Sequence, residues 1–278
     1  MPELPEVETV RAGLASKLVG KTIDTVLVRR TDLRIPIPPK LAERLKGRRL
    51  DTMTRRGKYL LWNFDDGLAL LSHLGMSGQM VLGAGPPPPP QAHDHVHMAF
   101  TSGDWVRYRD PRRFGLMDLT TIDQAPDHPL LATMGPEPLS NGFNGPVLAA
   151  ALVGRGSTIK AALLDQKIVA GIGNIYASEA LYCAGISPRR KAGSVGPVRA
   201  ERLVAAITGT LNDAIASGGS SLKDYVQATG DLGYFQHQFA VYGREGVACP
   251  QCDPNNTCRV RHITQSGRST YYCPTRQR

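Results

Sequence analysis

The spacing of apolar residues changes once along this chain, and that change restricts what it can fold into. Over residues 22–121 they fall in short runs rich in β-branched and aromatic side chains, at 22–29, 59–64, 68–72, 96–100 and 105–108, with Asp65-Asp66-Gly67 and Ser102-Gly103-Asp104 as turns between them. Short strands of this kind build a sandwich or a barrel-like sheet. Over residues 146–218 the spacing is helical: Ile159, Ala162, Leu163 and Gln166 follow Ser157 as a candidate N-cap, and Leu203, Ala206, Ile207, Leu211 and Ile215 share a second face. The stretch between, 123–145, is rich in Pro, Gly, Asn and Asp and reads as a break between domains. Segregated strands and helices predict an α+β multidomain chain. The expected division is a β domain over 1–130, a linker over 131–145, a helical domain over 146–240 and a cysteine-bearing hairpin over 241–278. No internal repeat is visible.

A helix is expected ahead of the strands, over residues 5–18. Pro5 suits a first turn, where a missing N–H costs nothing. Val7, Val10, Leu14 and Leu18 lie on one face, and Gly20 is a natural stop. Glu3 and Glu6 sit where the helix dipole favours negative charge. The five prolines at 86–90 predict an extended, solvent-exposed loop.

Charge points to the partner. Lys and Arg number 33 against 24 Asp and Glu, a formal net charge of +9, which suits a polyanion such as nucleic acid. After Asp253 there is no acid, yet Arg259, Arg261, Arg268, Arg276 and Arg278 follow. No apolar run reaches the roughly 18 residues of a membrane span. The acidic opening Met1-Pro2-Glu3 is unlike a secretory signal, so a cytoplasmic protein is expected. Of five cysteines, Cys249, Cys252, Cys258 and Cys273 fall near the end of the chain, apart from Cys183. In a cytosolic protein that clustering favours a metal over disulfides.

The opening residues carry possible chemistry. Removal of Met1, expected before a small residue, would expose the secondary amine of Pro2. An α-amino group ordinarily titrates at about 8, so part of it is the neutral nucleophile at neutral pH. Such an amine can attack a sugar C1′ and form a permanently charged iminium, with Glu3 beside it as a proton donor.

Pro2-Glu3-Leu4-Pro5-Glu6-Val7-Glu8-Thr9-Val10 resembles the start of the bacterial formamidopyrimidine-DNA glycosylases. Further segments resemble that family in its order: Arg56-Gly57-Lys58-Tyr59-Leu60, His73-Leu74-Gly75-Met76-Ser77-Gly78, His93-Asp94-His95-Val96, Asp110-Pro111-Arg112-Arg113-Phe114-Gly115, and Gly171-Ile172-Gly173-Asn174-Ile175-Tyr176-Ala177-Ser178-Glu179. The resemblance covers essentially the whole chain. It implies an N-terminal β-sandwich with a leading helix, a helix–two-turns–helix domain and a C-terminal β-hairpin zinc finger. It also implies a monomer acting on damaged double-stranded DNA.

By that resemblance Pro2 attacks C1′ of an oxidised purine nucleotide, Glu3 protonates the ring oxygen, Glu6 supports the site, Lys58 contacts the lesion phosphates, and Arg268 assists δ-elimination after β-elimination. Extruding a base costs a few kcal/mol, and Met76, Arg112 and Phe114 match the family's side chains that fill the hole. His93, Arg155, Lys160 and Asn174 match its DNA contacts. The Gly171-Ile172-Gly173 turn is no dinucleotide fingerprint, because a helix precedes it and Tyr176 takes the third glycine slot. In residues 218–239, with Gly230, Gly233, Tyr234 and Phe235, purine-specific relatives hold a loop over the extruded base. The family's zinc ligands are two Cys-x-x-Cys pairs. Cys249, Cys252 and Cys273 match, but the fourth position is Arg276, which cannot ligate. An insert at 253–257 leads into Cys258, the expected replacement, with His262 as the weaker substitute. The competing readings are an endonuclease VIII-like enzyme for oxidised pyrimidines, a non-catalytic binder of damaged DNA and a basic RNA-binding protein.

Overall fold

The computed structural model describes residues 1–220, 234–252 and 258–278. The chain forms two compact units, one of Met1–Ala132 with Ser217–Tyr234 and one of Thr133–Ala216 with Phe235–Arg278. Gly230 and Gly233, and the insert at 253–257, lie outside the described residues.

The first unit opens with α1 (Leu4–Leu18), whose Leu4, Val7, Val10, Leu14 and Leu18 are buried on one face. Val19 turns to extended geometry and Gly20 takes φ +81°, so the helix stops where a side chain would be strained. There follow β1 (Ile23–Val28), a short α2 (Leu41–Leu45), β2 (Leu50–Arg56), β3 (Tyr59–Phe64), β4 (Leu68–His73), β5 (Gln79–Ala84), β6 (Asp94–Phe100), β7 (Asp104–Arg109) and β8 (Leu116–Thr121). They make two four-stranded sheets, ordered β1-β6-β7-β5 and β2-β3-β4-β8, with every pair antiparallel.

The core lies between the sheets. Trp62, Phe64 and Leu70 from one, Met98, Val106 and Tyr108 from the other, and Val7, Val10 and Leu14 from α1 form one buried cluster. Full burial of such a side chain contributes roughly 1.5–3 kcal/mol. The Trp62 indole N–H is satisfied by Ser72 Oγ at 3.0 Å, as a buried donor requires. The prolines at 86–90 are exposed between β5 and β6. Buried Arg107 pins them from below, donating to the carbonyls of Pro88 and Pro89.

The second unit is helical, with α3 (Gly145–Leu152), α4 (Ile159–Leu164), α5 (Asn174–Cys183) and α6 (Pro197–Ala216), and ends in the hairpin β9 (Arg261–Gln265) and β10 (Arg268–Tyr272). Asn144 caps α3 by accepting from Val147 N–H at 3.1 Å. The cap of α4 is Thr158, not Ser157. Thr158 Oγ1 accepts from Ala161 N–H at 3.3 Å, while the Ser157 carbonyl accepts from Ala192 N–H. The two hydroxyl residues are adjacent, and the backbone path chooses between them.

Two turns join α4 to α5. Gln166 holds them by accepting from Gly171 N–H at 2.8 Å and donating to the Ile172 carbonyl at 3.0 Å. Gly171 takes φ +81°, which favours glycine. A second buried cluster joins Tyr182, Val241, Cys249, Cys258, Val260 and Cys273 at the base of the hairpin. No helix among the described residues is long and apolar enough to cross a membrane.

Candidate active site and nucleic-acid interface

In the first unit the start of α1 and the tip of the β2–β3 hairpin lie at one end. Arg11 donates to the Met53 carbonyl at 3.2 Å and Arg55 to Glu8 at 3.0 Å. Reading α1 backwards therefore follows β2 forwards, towards Lys58. Pro2, Glu3 and Glu6 are all buried there. Glu6 is fixed by both oxygens: Oε2 accepts the Glu3 N–H at 2.9 Å, and Oε1 accepts the Ser220 N–H at 2.8 Å and its hydroxyl at 2.9 Å. Gly219, at φ +78°, passes so close that an added Cβ would lie 3.2 Å from Glu6 Oε1. Lys58 follows Gly57, at φ +56°, in the two-residue turn, and is 7% exposed.

The partner of this turn across β4 is His73, opposite Tyr59. Burial, then the charges of Lys58 and Arg34, push its pKa down to about 4. Its Nδ1 accepts from Gly75 N–H at 2.9 Å, so the single proton resides on Nε2. His73 is a neutral donor beside Lys58 at neutral pH.

Two loops carry the expected wedge. Met76 is half-buried in its turn, whereas Arg112 and Phe114 are exposed, with the Arg112 guanidinium 4.8 Å from the Phe114 ring centroid. Fully buried Asp110 ties both loops. It accepts from the Ser77 hydroxyl at 2.6 Å, the Tyr108 hydroxyl at 3.0 Å and Gly115 N–H at 2.8 Å. Contact is close enough that a Cβ at Gly75 would fall 2.3 Å from the Phe114 carbonyl carbon. His93 is exposed at φ 70°, its carbonyl accepting from Asp110 N–H at 3.0 Å.

In the second unit Arg268 is exposed just after the turn Ser266-Gly267, both with positive φ, the geometry of a tight hairpin. Lys160 is not a surface cation. It is 1% exposed, and its ammonium donates to the Ser269 carbonyl at 2.8 Å and Thr270 Oγ1 at 2.7 Å. Asn174, first residue of α5, donates to the same Ser269 carbonyl at 2.9 Å and to the Tyr242 hydroxyl at 3.3 Å. Its Oδ1 is buried with no partner among the described residues. Both side chains staple the strand beside Arg268. Arg155 is exposed, donating to the Ala151 carbonyl and lying 3.5 Å from Asp165.

The four C-terminal thiols meet. Sγ of Cys249, Cys252, Cys258 and Cys273 all lie within 4.8 Å of one another, with Cys252–Cys273 at 3.7 Å and Cys258–Cys273 at 3.1 Å. Tetrahedral zinc–thiolate geometry sets sulfurs about 3.8 Å apart, so this donor set fits one ion. His262 stands outside it, stacked on Tyr271 and 3.7 Å from Glu245. Burial opposes the Cys249 thiolate, but the Tyr182 hydroxyl at 3.2 Å and the neighbouring Gln251 N–H outweigh it and hold the thiol below its ordinary pKa. Arg276 donates its N–H to Cys273 Sγ at 3.3 Å and lays its guanidinium 5.2 Å from the Tyr182 ring centroid.

Residues 1–117 match the formamidopyrimidine-DNA glycosylase N-terminal domain, and 134–226 match that family's H2TH domain. The chain belongs to the formamidopyrimidine-DNA glycosylase family. It is 55% identical to the formamidopyrimidine-DNA glycosylase of Rhodospirillum rubrum and 53% identical to that of Rhodospirillum centenum, with all of each chain covered. It aligns at a TM-score of 0.90 and 35% identity with a Lactococcus lactis formamidopyrimidine-DNA glycosylase variant crystallised with Fapy-dG-containing DNA, over 100% of both chains. The MutM protein of Thermus thermophilus aligns at 0.86 and 39% identity, over 99% of this chain and 98% of that one.

In this DNA-repair glycosylase several supporting residues escaped the sequence reading. His73 stood inside a quoted motif without an assigned part. Ser220 is 214 positions from Glu6, and no local pattern links them. Glu179 is 3% exposed and accepts from the N–H groups of Ala240, Val241 and Tyr242 at 2.7–3.0 Å. Burial raises its pKa against those bonds. The signal for it was the one charged residue inside α5.

Proposed function

We propose that this glycosylase excises oxidised purines, 8-oxoguanine and formamidopyrimidines, from duplex DNA and then cleaves the strand as an AP lyase. Once Met1 is removed, the Pro2 nitrogen attacks C1′, the damaged base departs with the glycosidic electron pair, and the base takes up the proton that the Pro2 nitrogen loses. Glu3 delivers a proton to the ring oxygen, the sugar opens, and an iminium joins Pro2 to C1′. The iminium acidifies C2′, β-elimination expels the 3′ phosphate, and δ-elimination expels the 5′ phosphate with Arg268 neutralising it. Lys58 holds the lesion phosphates. Met76, Arg112 and Phe114 fill the vacated stack, while His93, Arg155 and the Asn174 helix start meet the backbone. Lys160 acts through the Arg268 strand that it secures. Cys249, Cys252, Cys258 and Cys273 hold one structural Zn²⁺. The protein works as a cytoplasmic monomer.

The observation that carries this reading is the burial of Pro2, Glu3 and Glu6 together at the end of α1 that points to Lys58. An isolated acid there would need only dipole stabilisation. Two buried acids, one of them bonded through both carboxylate oxygens, beside a chain terminus are costly unless used. Borohydride reduction on 8-oxoguanine duplex should trap a covalent protein–DNA conjugate with wild type and far less with Pro2→Gly. Thymine glycol duplex should be a poorer substrate. No conjugate, or fully active protein that retains Met1, would overturn the mechanism.

A further inference from the structure

The second unit carries a cationic surface that the lesion chemistry leaves unused. Between Ser187 and Arg202 stand Arg189, Arg190, Lys191, Arg199 and Arg202, with Glu201 the one acid. They line two open basins. One, of about 430 Å³, is bounded by Ser187, Arg189, Arg190, Lys191 and Ser194. The other, of about 440 Å³, includes Arg199 and Arg202. The Glu201 carboxylate lies against Gly145 at the start of α3, where an added Cβ would be 1.8 Å from its Oε2.

The first basin is built on a fixed floor. The Arg190 carbonyl accepts from Ile159 N–H at 2.7 Å, at the start of α4. Lys191 bridges to Thr158. The Pro188 carbonyl accepts from Gln265 Nε2 at 3.2 Å, on the strand that leads into the Arg268 turn. Within this floor Arg190 Nε is buried and has no hydrogen-bond partner among the described residues. Arg189 and Lys191 are exposed on either side of half-buried Arg190, and a phosphate oxygen is the acceptor that a guanidinium's planar fork suits best.

We propose that the basin at 187–194 is a phosphodiester site that grips the duplex backbone away from the lesion, in the same compact unit as Arg268. This rests on the DNA-repair reading above. The site takes backbone charge and no base identity, so it adds affinity and reach without specificity.

The test compares the full chain with Arg189→Gln/Arg190→Gln/Lys191→Gln. Each binds a short duplex ending close to a tetrahydrofuran abasic analogue and a long duplex extending several turns. On the long duplex the variant should lose roughly 2–3 from the magnitude of its log K versus log salt slope and on the order of 10- to 100-fold in affinity at low salt. On the short duplex both proteins should match, and single-turnover excision at saturating DNA should be unchanged. Arg189→Gln/Lys191→Gln, which spares half-buried Arg190, should give part of the same loss with an unaltered melting curve. Arg189→Lys/Lys191→Arg should keep the wild-type slope. An unchanged slope on long duplex, or an equal loss on both lengths, would overturn the proposal. So would inorganic phosphate competing for the basin as well as the long duplex does. Wild type failing on both lengths would instead overturn the functional reading itself.

Discussion

The Ser77 hydroxyl donates to Asp110 Oδ1 at 2.6 Å, and that bond joins the turn carrying Met76 to the loop carrying Arg112 and Phe114. The same hydroxyl accepts from Arg112 N–H at 3.2 Å. Asp110 also holds Tyr108, whose hydroxyl is kept protonated by burial and by the Asp110 charge. Asp110→Asn keeps the volume but turns one acceptor into a donor facing buried donors, which should cost about 2–4 kcal/mol. Urea unfolding should show that loss. Base excision should fall further than stability explains, since the proposed wedge side chains lose their register. Wild-type stability in this variant would sink the assignment.

His73 gives the first unit a pH dependence of known sign. Its pKa is pushed down to about 4 from an ordinary 6.5. Between those values the unfolded chain holds a proton that the folded one lacks, so stability falls as pH falls, and the contribution is fully present only above the ordinary value. Unfolding free energy should drop by about 2 kcal/mol from pH 7 to pH 5 on this account. His73→Gln should flatten that part of the curve. An equal slope in both proteins would show that other groups set it.

What was legible in the sequence follows burial. The runs at 59–64, 68–72, 96–100 and 105–108 became β3, β4, β6 and β7, the inner strands of their sheets. Inner strands are buried at most positions, as β3 shows from Leu60 to Phe64 and β7 from Trp105 to Tyr108. The strands not singled out, β2, β5 and β8, are all edges. In β2 only Leu50 and Met53 are buried, too few for a periodic signal. β1 was the edge strand that could be read, through Val26, Leu27 and Val28. The candidate site residues were named from ordered motifs, and Cys258 from the rarity of cysteine; of these the four thiols do meet. The bonds that set side chains, Ser220 to Glu6 and Lys160 to Ser269, span 214 and 109 positions and leave no local trace.

Lys160 tests whether a buried cation stabilises the hairpin. Its ammonium and the Asn174 amide share the Ser269 carbonyl. Lys160→Met would remove two charge-assisted bonds and leave Thr270 Oγ1, on a fully buried residue, short of a partner, a loss of about 1–3 kcal/mol. Hydrogen exchange of the amides in β9 and β10 should accelerate by roughly 10- to 100-fold. Exchange at the wild-type rate would mean that the cluster below the hairpin suffices without Lys160.

That cluster supplies the sharpest test of the metal assignment. Cys258 lies 3.1 Å from Cys273 by sulfur, and His262 lies outside the four thiols. Purified protein should contain about one zinc per chain, and a strong chelator should remove it and open the hairpin, because metal binding and local folding are one equilibrium. Cys258→Ser should lose most of the zinc. His262→Ala should keep it. Arg276→Cys places a thiol where the backbone N–H already lies 3.3 Å from Cys273 Sγ, and combined with Cys258→Ser it should restore binding by completing a Cys-x-x-Cys pair. Metal analysis and the visible absorption of the cobalt form read all three variants. Zinc retained by Cys258→Ser but lost by His262→Ala would transfer the fourth coordination position from the thiol to the imidazole.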